Sequence, residues 1–245
     1  MIFNMVGAAG GVKFLPQYDG YWNLVLGKDG KSGYAEFYGS GTLTWRDNIR
    51  PPVIDVTCIG GGGGGRHSEY NPNVYGYGGA GGQVVSMYGI TPPESVNIVV
   101  GAGGKGGVKN TGTAPTNGGS SSFGSFCTAN GGTANVNTGA GHAANGRDVL
   151  GRRHAGGGAA GRTSGSNSTP LPGGETDYPK RGGVNGQTVT HNSYVSAGGA
   201  GGGGAGGGGG GSGLILLTVG GGNGGAGGDG LVVMAWGNYL AMMGD

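Results

Sequence analysis

Apolar residues in this chain come in short bursts that run directly into glycine. Val53 to Ile59 alternates apolar and polar positions and is followed at once by six glycines, Gly60 to Gly65. Val96-Asn97-Ile98-Val99-Val100 feeds Gly101-Ala102-Gly103-Gly104-Lys105-Gly106-Gly107. Leu214 to Val219 feeds a further tract, which leads into Leu231-Val232-Val233-Met234-Ala235-Trp236. Alternation with a period of two is the mark of a strand, whereas an amphipathic helix needs apolar residues every three to four positions. No stretch combines helix-forming residues with that longer period, so the pattern predicts short strands and essentially no α-helix. Strands at both ends of a glycine run also argue against a flexible linker, which gains nothing from them.

The first fifty residues have a different character. Tyr21-Trp22-Asn23-Leu24-Val25-Leu26 and Tyr34-Ala35-Glu36-Phe37-Tyr38 are rich in aromatic and branched residues, with Gly27-Lys28-Asp29-Gly30 between them as a turn. Thr42-Leu43-Thr44-Trp45 alternates as a half-buried strand would. Pro51-Pro52 then punctuates the chain. We read residues 1–50 as an N-terminal β region, an attachment module or the base of the main domain. Residues 51–236 read as a glycine-rich domain with β-strands and 237–245 as a C-terminal tail.

The glycine tracts carry a period of their own. Taken by threes, Gly198, Gly201, Gly204, Gly207, Gly210 and Gly213 are all glycine, and Gly221-Gly222-Asn223, Gly224-Gly225-Ala226 and Gly227-Gly228-Asp229 are clean triplets. Three residues per turn is the polyproline-II repeat, whose N–H and C=O groups point sideways and need lateral neighbours. Glycine lets those neighbours approach closely. The expected fold is therefore mostly β and irregular: short β-strands capping a bundle of packed polyglycine-II helices. Collagen is excluded by the 10 prolines in 245 residues, none of them in either tract. The competing reading is disorder, because glycine (69 residues) and proline together make up about a third of the chain. Side-chain burial cannot offset the ordering entropy of glycine, so lateral hydrogen bonds and the flanking strands must do so.

Charge and cysteine content narrow the function. With 14 basic and 12 acidic residues the chain lacks the concentrated basic footprint that nucleic acid demands. Arg152-Arg153 and Arg181-Gly182-Gly183 read as solvated arginines. Cys58 and Cys127 sit in apolar stretches without a Cys-x-x-Cys and read as buried thiols, a disulfide between them remaining the alternative. Residues 1–14 have neither a basic n-region nor a sustained apolar run, so no secretory signal is expected. Apolar stretches of five or six residues fall far short of the roughly 20 needed to span a membrane.

Catalytic motifs do not survive their context. Gly101-Ala102-Gly103-Gly104-Lys105-Gly106 fits G-x-G-x-x-G, but no helix can follow it and no acidic residue lies about 20 positions on. The four histidines, His67, His142, His154 and His191, are dispersed, and no G-x-S-x-G elbow occurs. Asn167-Ser168-Thr169 is a glycosylation sequon with no supporting context. No catalytic residue, metal site or cofactor is expected.

Between the tracts, residues 66–77, 147–154, 170–181 and 187–195 mix tyrosine, serine, asparagine and glycine, the composition of adaptable contact surfaces. From these loops Tyr70, Tyr75, Tyr77, Arg152, Arg153, Tyr178, His191 and Tyr194 are the candidate receptor-binding residues, with solvated loops as the alternative reading.

Several ordered landmarks carry a resemblance. They are Ser40-Gly41-Thr42-Leu43-Thr44, then Val53 to Ile59 running into glycine, Gly78-Gly79-Ala80-Gly81-Gly82-Gln83-Val84, Thr91 to Gly104, Gly118 to Gly124, and Gly227-Gly228-Asp229-Gly230-Leu231-Val232-Val233. Over about residues 40–236 the chain resembles the glycine-rich domain of phage and prophage tail proteins. It is also similar to tail-fibre tip adhesins built on polyglycine-II helices, although its N-terminal part is shorter than their attachment domain. The resemblance implies a virion protein made in the host cytoplasm without a signal peptide. It would bind a bacterial surface protein or glycan through its loops and a tail-fibre or tail-tip protein through its N-terminal region, with no nucleic-acid partner and no membrane insertion. The rival expectations are a purely structural virion joint and, further off, an ice-binding protein.

Overall fold

The computed structural model describes residues 2–5, 13–67, 77–108, 111–134, 146–154, 188–191, 194–197 and 223–242. These are mostly β, and among them there is no α-helix; 3₁₀ turns occur at Arg46–Asn48 and Tyr239–Met242.

One sheet has six strands. These are β1 (Ile2–Met5), β3 (Trp22–Leu26), β4 (Gly33–Phe37), β6 (Ile54–Ile59), β7 (Val84–Ile90) and β15 (Leu231–Trp236), in the order β1-β3-β4-β15-β6-β7. The other has five: β2 (Pro16–Tyr18), β5 (Gly41–Trp45), β8 (Ser95–Val99), β9 (Ser121–Phe123) and β10 (Cys127–Ala129), in the order β10-β9-β8-β5-β2. All these pairings are antiparallel except β1 with β3. Two short hairpins complete the described strands, β11 (Gly146–Arg147) with β12 (Arg153–His154) and β13 (Thr188–His191) with β14 (Tyr194–Ala197).

Alternation decides which face each residue takes. In β5, Leu43 and Trp45 are buried while Thr42 and Thr44 are half-buried. β15 is apolar at every position because both of its faces are covered. Val232, Met234 and Trp236 join the core between the two sheets, and Leu231, Val233 and Ala235 join a second core with Val149, Leu150 and Tyr239. The main core is knitted by aromatic contacts, including Trp22 stacked on Phe37 and Trp45 edge-on to Trp236, both at 5.9 Å. Strand pairing crosses residue 50 in both sheets: β4 pairs with β15, and β5 with β8. The strands of the first fifty residues therefore lie in the same two sheets as strands from the glycine-rich part. The turn expected at Gly27–Gly30 joins β3 to β4, with the Asp29 carboxylate accepting the amides of Lys31 and Ser32.

Every glycine-rich segment described leaves or enters the sheets at the same end. Segments 60–67, 101–107 and 130–134 run outward from β6, β8 and β10, while 77–83, 115–120 and 223–230 run back into β7, β9 and β15. Segment 60–67 lies at their centre, with Gly60 to Gly65 all buried. Its amides donate in strict rotation. Gly60, Gly63 and Arg66 bond to the carbonyls of Gln83, Ala80 and Tyr77; Gly61 and Gly64 to Gly119 and Thr116; Gly62 and Gly65 to Gly228 and Gly225. Donors step forward by three as acceptors step back by three, so each neighbour is antiparallel. Carbonyls in the same segment accept from the parallel neighbours, from Gly104 and Gly107 on one side and from Gly132 on another.

This lattice accounts for the glycine. A β-carbon at Gly61 or Gly64 would collide with the carbonyl of Ala102 or Lys105. Side chains return at the perimeter every third residue. Ala102, Lys105 and Val108 are exposed, and Asn223, Ala226 and Asp229 sit on the returning segment, where Asp229 Oδ1 accepts the amide of Gly103 at 2.8 Å. The tract 198–222 and the strand expected at Leu214–Val219 lie outside the described residues.

Candidate functional site

The described glycine segments carry the chain away from the sheets, so the ends of two turns between them lie at the end remote from the sheets. The amide of Arg66 donates to the carbonyl of Tyr77 at 2.7 Å, which pins the two ends of the loop expected at 66–77. Next to it, Val108 and Thr113 bond to each other through both amides, and Thr111 to Ala114 are exposed at the tip. His67 is buried against this second turn, within reach of the backbone of Gly107. The far face therefore presents Tyr77, half-buried, and, across segment 60–67 from it, an exposed tip of threonine, glycine and alanine. Sequence reasoning missed the 108–114 tip because it carries no aromatic residue.

The other candidates lie elsewhere. Arg152 and Arg153 belong to the β11–β12 excursion, which packs across the outer face of the six-stranded sheet through Val149 and Leu150. The whole excursion turns on Asp148. Its carboxylate accepts the amides of Leu150 and Arg152, the Arg152 Nε–H at 2.9 Å and the His154 Nε2–H at 2.8 Å. Arg152 also pairs with Glu36 on β4, and the Val149 amide donates to Thr57 Oγ1 on β6 at 2.9 Å. Burial pushes the Asp148 carboxyl up, but the His154 hydrogen bond and the Arg152 charge outweigh it and hold it below its ordinary value. The Asp148 and His154 side chains are wholly buried and Arg152 is largely so, which makes this an anchor for the excursion. Arg153 is half-buried beside it.

His191 and Tyr194 are paired in register between β13 and β14. Tyr70, Tyr75 and Tyr178 lie outside the described residues.

Other chemistry is sparse. Cys58 and Cys127 are buried and unbridged on facing strands of the two sheets, and their mutual hydrogen bond and burial push the Cys58 thiol up. Among the described residues no cluster of three His, Cys, Asp or Glu side chains converges on one point, and no helix is long and apolar enough to cross a membrane. A cleft of about 430 Å³ opens at the sheet end, between the Lys28-Asp29 turn and Asn238, Ala241 and Met242. Near that end Tyr88 (66 % exposed) and Leu240 (63 %) project into solvent.

A family model described as a glycine-rich domain matches residues 38–237, taking in every described glycine segment and the strands from β5 to β15, with β1 to β4 before it. Among curated proteins, no sequence matches the chain.

Proposed function

The chain belongs to the glycine-rich domain family, and from that premise we propose a non-enzymatic phage tail-fibre or tail-tip adhesin that recognises the bacterial host surface. Its glycine segments are polyglycine-II helices, and its turns, held at the far end of that scaffold, meet a surface protein or glycan. The observation that carries this reading is the threefold rotation of hydrogen bonds from segment 60–67 to three neighbours. It supplies a laterally locked support for loops that would otherwise be mobile, and rigid support lowers the ordering cost of binding. The sheet end, with Tyr88 and Leu240 exposed, would seat on the fibre or tail tip.

Replacing Tyr75, Tyr77, Tyr178 and Tyr194 with alanine tests the loops. Adsorption to host cells should be abolished while the fold, followed by circular dichroism and amide exchange, is kept; unchanged adsorption sinks the assignment. The same exposed sheet end favours a second reading, a structural virion joint. Negative-stain localisation away from the distal tip would favour the joint over the adhesin.

A further inference from the structure

The chain has two cysteines, Cys58 and Cys127, and the fold brings them together from opposite sheets. Cys58 lies on β6, next to the edge strand β7 of the six-stranded sheet, and Cys127 opens β10, the edge strand of the five-stranded one. Packed sheets ordinarily stand about 10 Å apart, but here Cα atoms of β6 and β10 approach within 8 Å. The Cys58 thiol donates to the carbonyl of Cys127 at 3.5 Å. The Cys127 thiol donates at 3.4 Å to the carbonyl of Val85, the register partner of Cys58 on β7. Both sulfurs therefore meet in one corner of the main core, where they are also hydrogen-bonded to each other.

Each cysteine also stands at the root of a glycine segment. Segment 60–67 leaves β6 just after Cys58 and 130–134 leaves β10 just after Cys127. The two segments are bonded near their bases, the Gly132 amide to the Gly61 carbonyl at 2.7 Å. Between the two cysteines in the chain lie segments 60–67, 77–83, 101–107 and 115–120. We propose that Cys58 and Cys127 are an oxidation site, where a peroxide joins them in a disulfide that staples the two sheets and clamps the glycine segments at their base.

Cys127 is the attacking sulfur. It retains 3 % exposure against none for Cys58, and the hydrogen bond from Cys58 holds its thiol below the ordinary value; the thiolate is the nucleophile. Its attack on hydrogen peroxide breaks the O–O bond, giving a sulfenic acid and a hydroxide that takes up the thiol proton as water. The Cys58 sulfur then attacks the Cys127 sulfur and displaces the sulfenic oxygen as a second water, carrying the Cys58 proton with it. Two thiols and one peroxide thus become one disulfide and two waters. On the adhesin reading the protein passes from a reducing cytoplasm to an oxidising medium, which supplies the occasion; the chemistry itself needs only the two sulfurs.

The test treats the folded full chain with hydrogen peroxide, then denatures it, alkylates it with iodoacetamide and weighs it without reductant. The expected product has lost the mass of two hydrogens, takes up no label and yields one peptide pair bridged between Cys58 and Cys127; dithiothreitol restores both thiols. In the bridged form the unfolding equilibrium constant should fall by roughly 30-fold or more, and amide exchange in 60–66 and 130–134 should slow relative to the reduced form. Cys58→Ser and Cys127→Ser should gain neither effect from peroxide. Two thiols that still alkylate after treatment, a sulfinic acid without a bridge, or a bridge joining two copies would each overturn the site. A bridged form that unfolds as readily as the reduced one, or exchanges equally fast in 60–66 and 130–134, would overturn the clamp.

Discussion

A β-carbon on Gly64 would lie closer than 3.0 Å to the carbonyl oxygen of Lys105. Neither backbone can retreat, because the Gly64 amide is bonded to Thr116 on another side and the Thr116 amide to Lys105. Overpacking of a rigid interior typically costs 1–3 kcal/mol and sometimes more. Gly64→Ala should accordingly lower stability by about 3 kcal/mol or more in denaturant melts. Lys105→Ala, at an exposed position of the perimeter, should stay within about 0.5 kcal/mol. Equal effects would mean that segment 60–67 is not an interior element.

Asp148 should behave as the keystone of the 146–154 excursion. Removing one partner of a buried ionic cluster costs about 3–5 kcal/mol, so Asp148→Ala should destabilise by that order. The pH dependence has a definite sign. The folded carboxyl titrates below its unfolded value of about 3.9, so its contribution is present above that value and is lost as pH falls through the depressed one. Wild-type stability should drop more steeply than that of Asp148→Asn as the pH falls below about 4. Parallel curves would show that the carboxylate is not held in the ionised form by its partners.

Asp229 tests the perimeter. Its carboxylate takes the Gly103 amide, where a backbone carbonyl would serve in the interior. Asp229→Ala should cost about 0.5–1.5 kcal/mol and accelerate exchange of the 101–107 peptide, whereas Asp229→Asn keeps an acceptor and should leave exchange unchanged. If both variants match wild type, water replaces the side chain without loss.

In the sandwich core, Trp236→Ala removes a ring packed edge-on against Trp45. A loss of about 3–5 kcal/mol is expected for so large a truncation, read as a lower urea midpoint with an unchanged slope. A small loss would place the main stability in the glycine lattice instead.

For recognition, His191→Ala and Tyr194→Ala should each weaken adsorption to host cells, since the two residues are paired in register between β13 and β14. The thermal midpoint should not move. Loss of adsorption together with loss of fold would make the hairpin structural.

Much of this molecule is written in local pattern. Val53 to Ile59, Val96 to Val100 and Leu231 to Trp236 advertise strands β6, β8 and β15 because alternation or apolarity survives in a short window. The Gly-Gly-X triplets announce a backbone that must be approached from its sides. β9 and β10 escaped notice, since three residues such as Ser121–Phe123 carry too little pattern and owe their conformation to their neighbours. Arg152 read as a solvated loop arginine because Glu36, its partner, is remote in sequence.

From the residues alone, then, the chain determined short strands, an absence of helical periodicity and segments so poor in side chains that only lateral hydrogen bonds could order them. Tertiary structure alone decided which segment is central, in what order the others surround it and which loop residues share a face. The physical reason is glycine itself. Amide and carbonyl are identical at every position of a glycine run, so the run specifies that neighbours must come close but carries no side chain to say which. That choice falls to the strands, whose side-chain packing sets where each segment leaves the sheets.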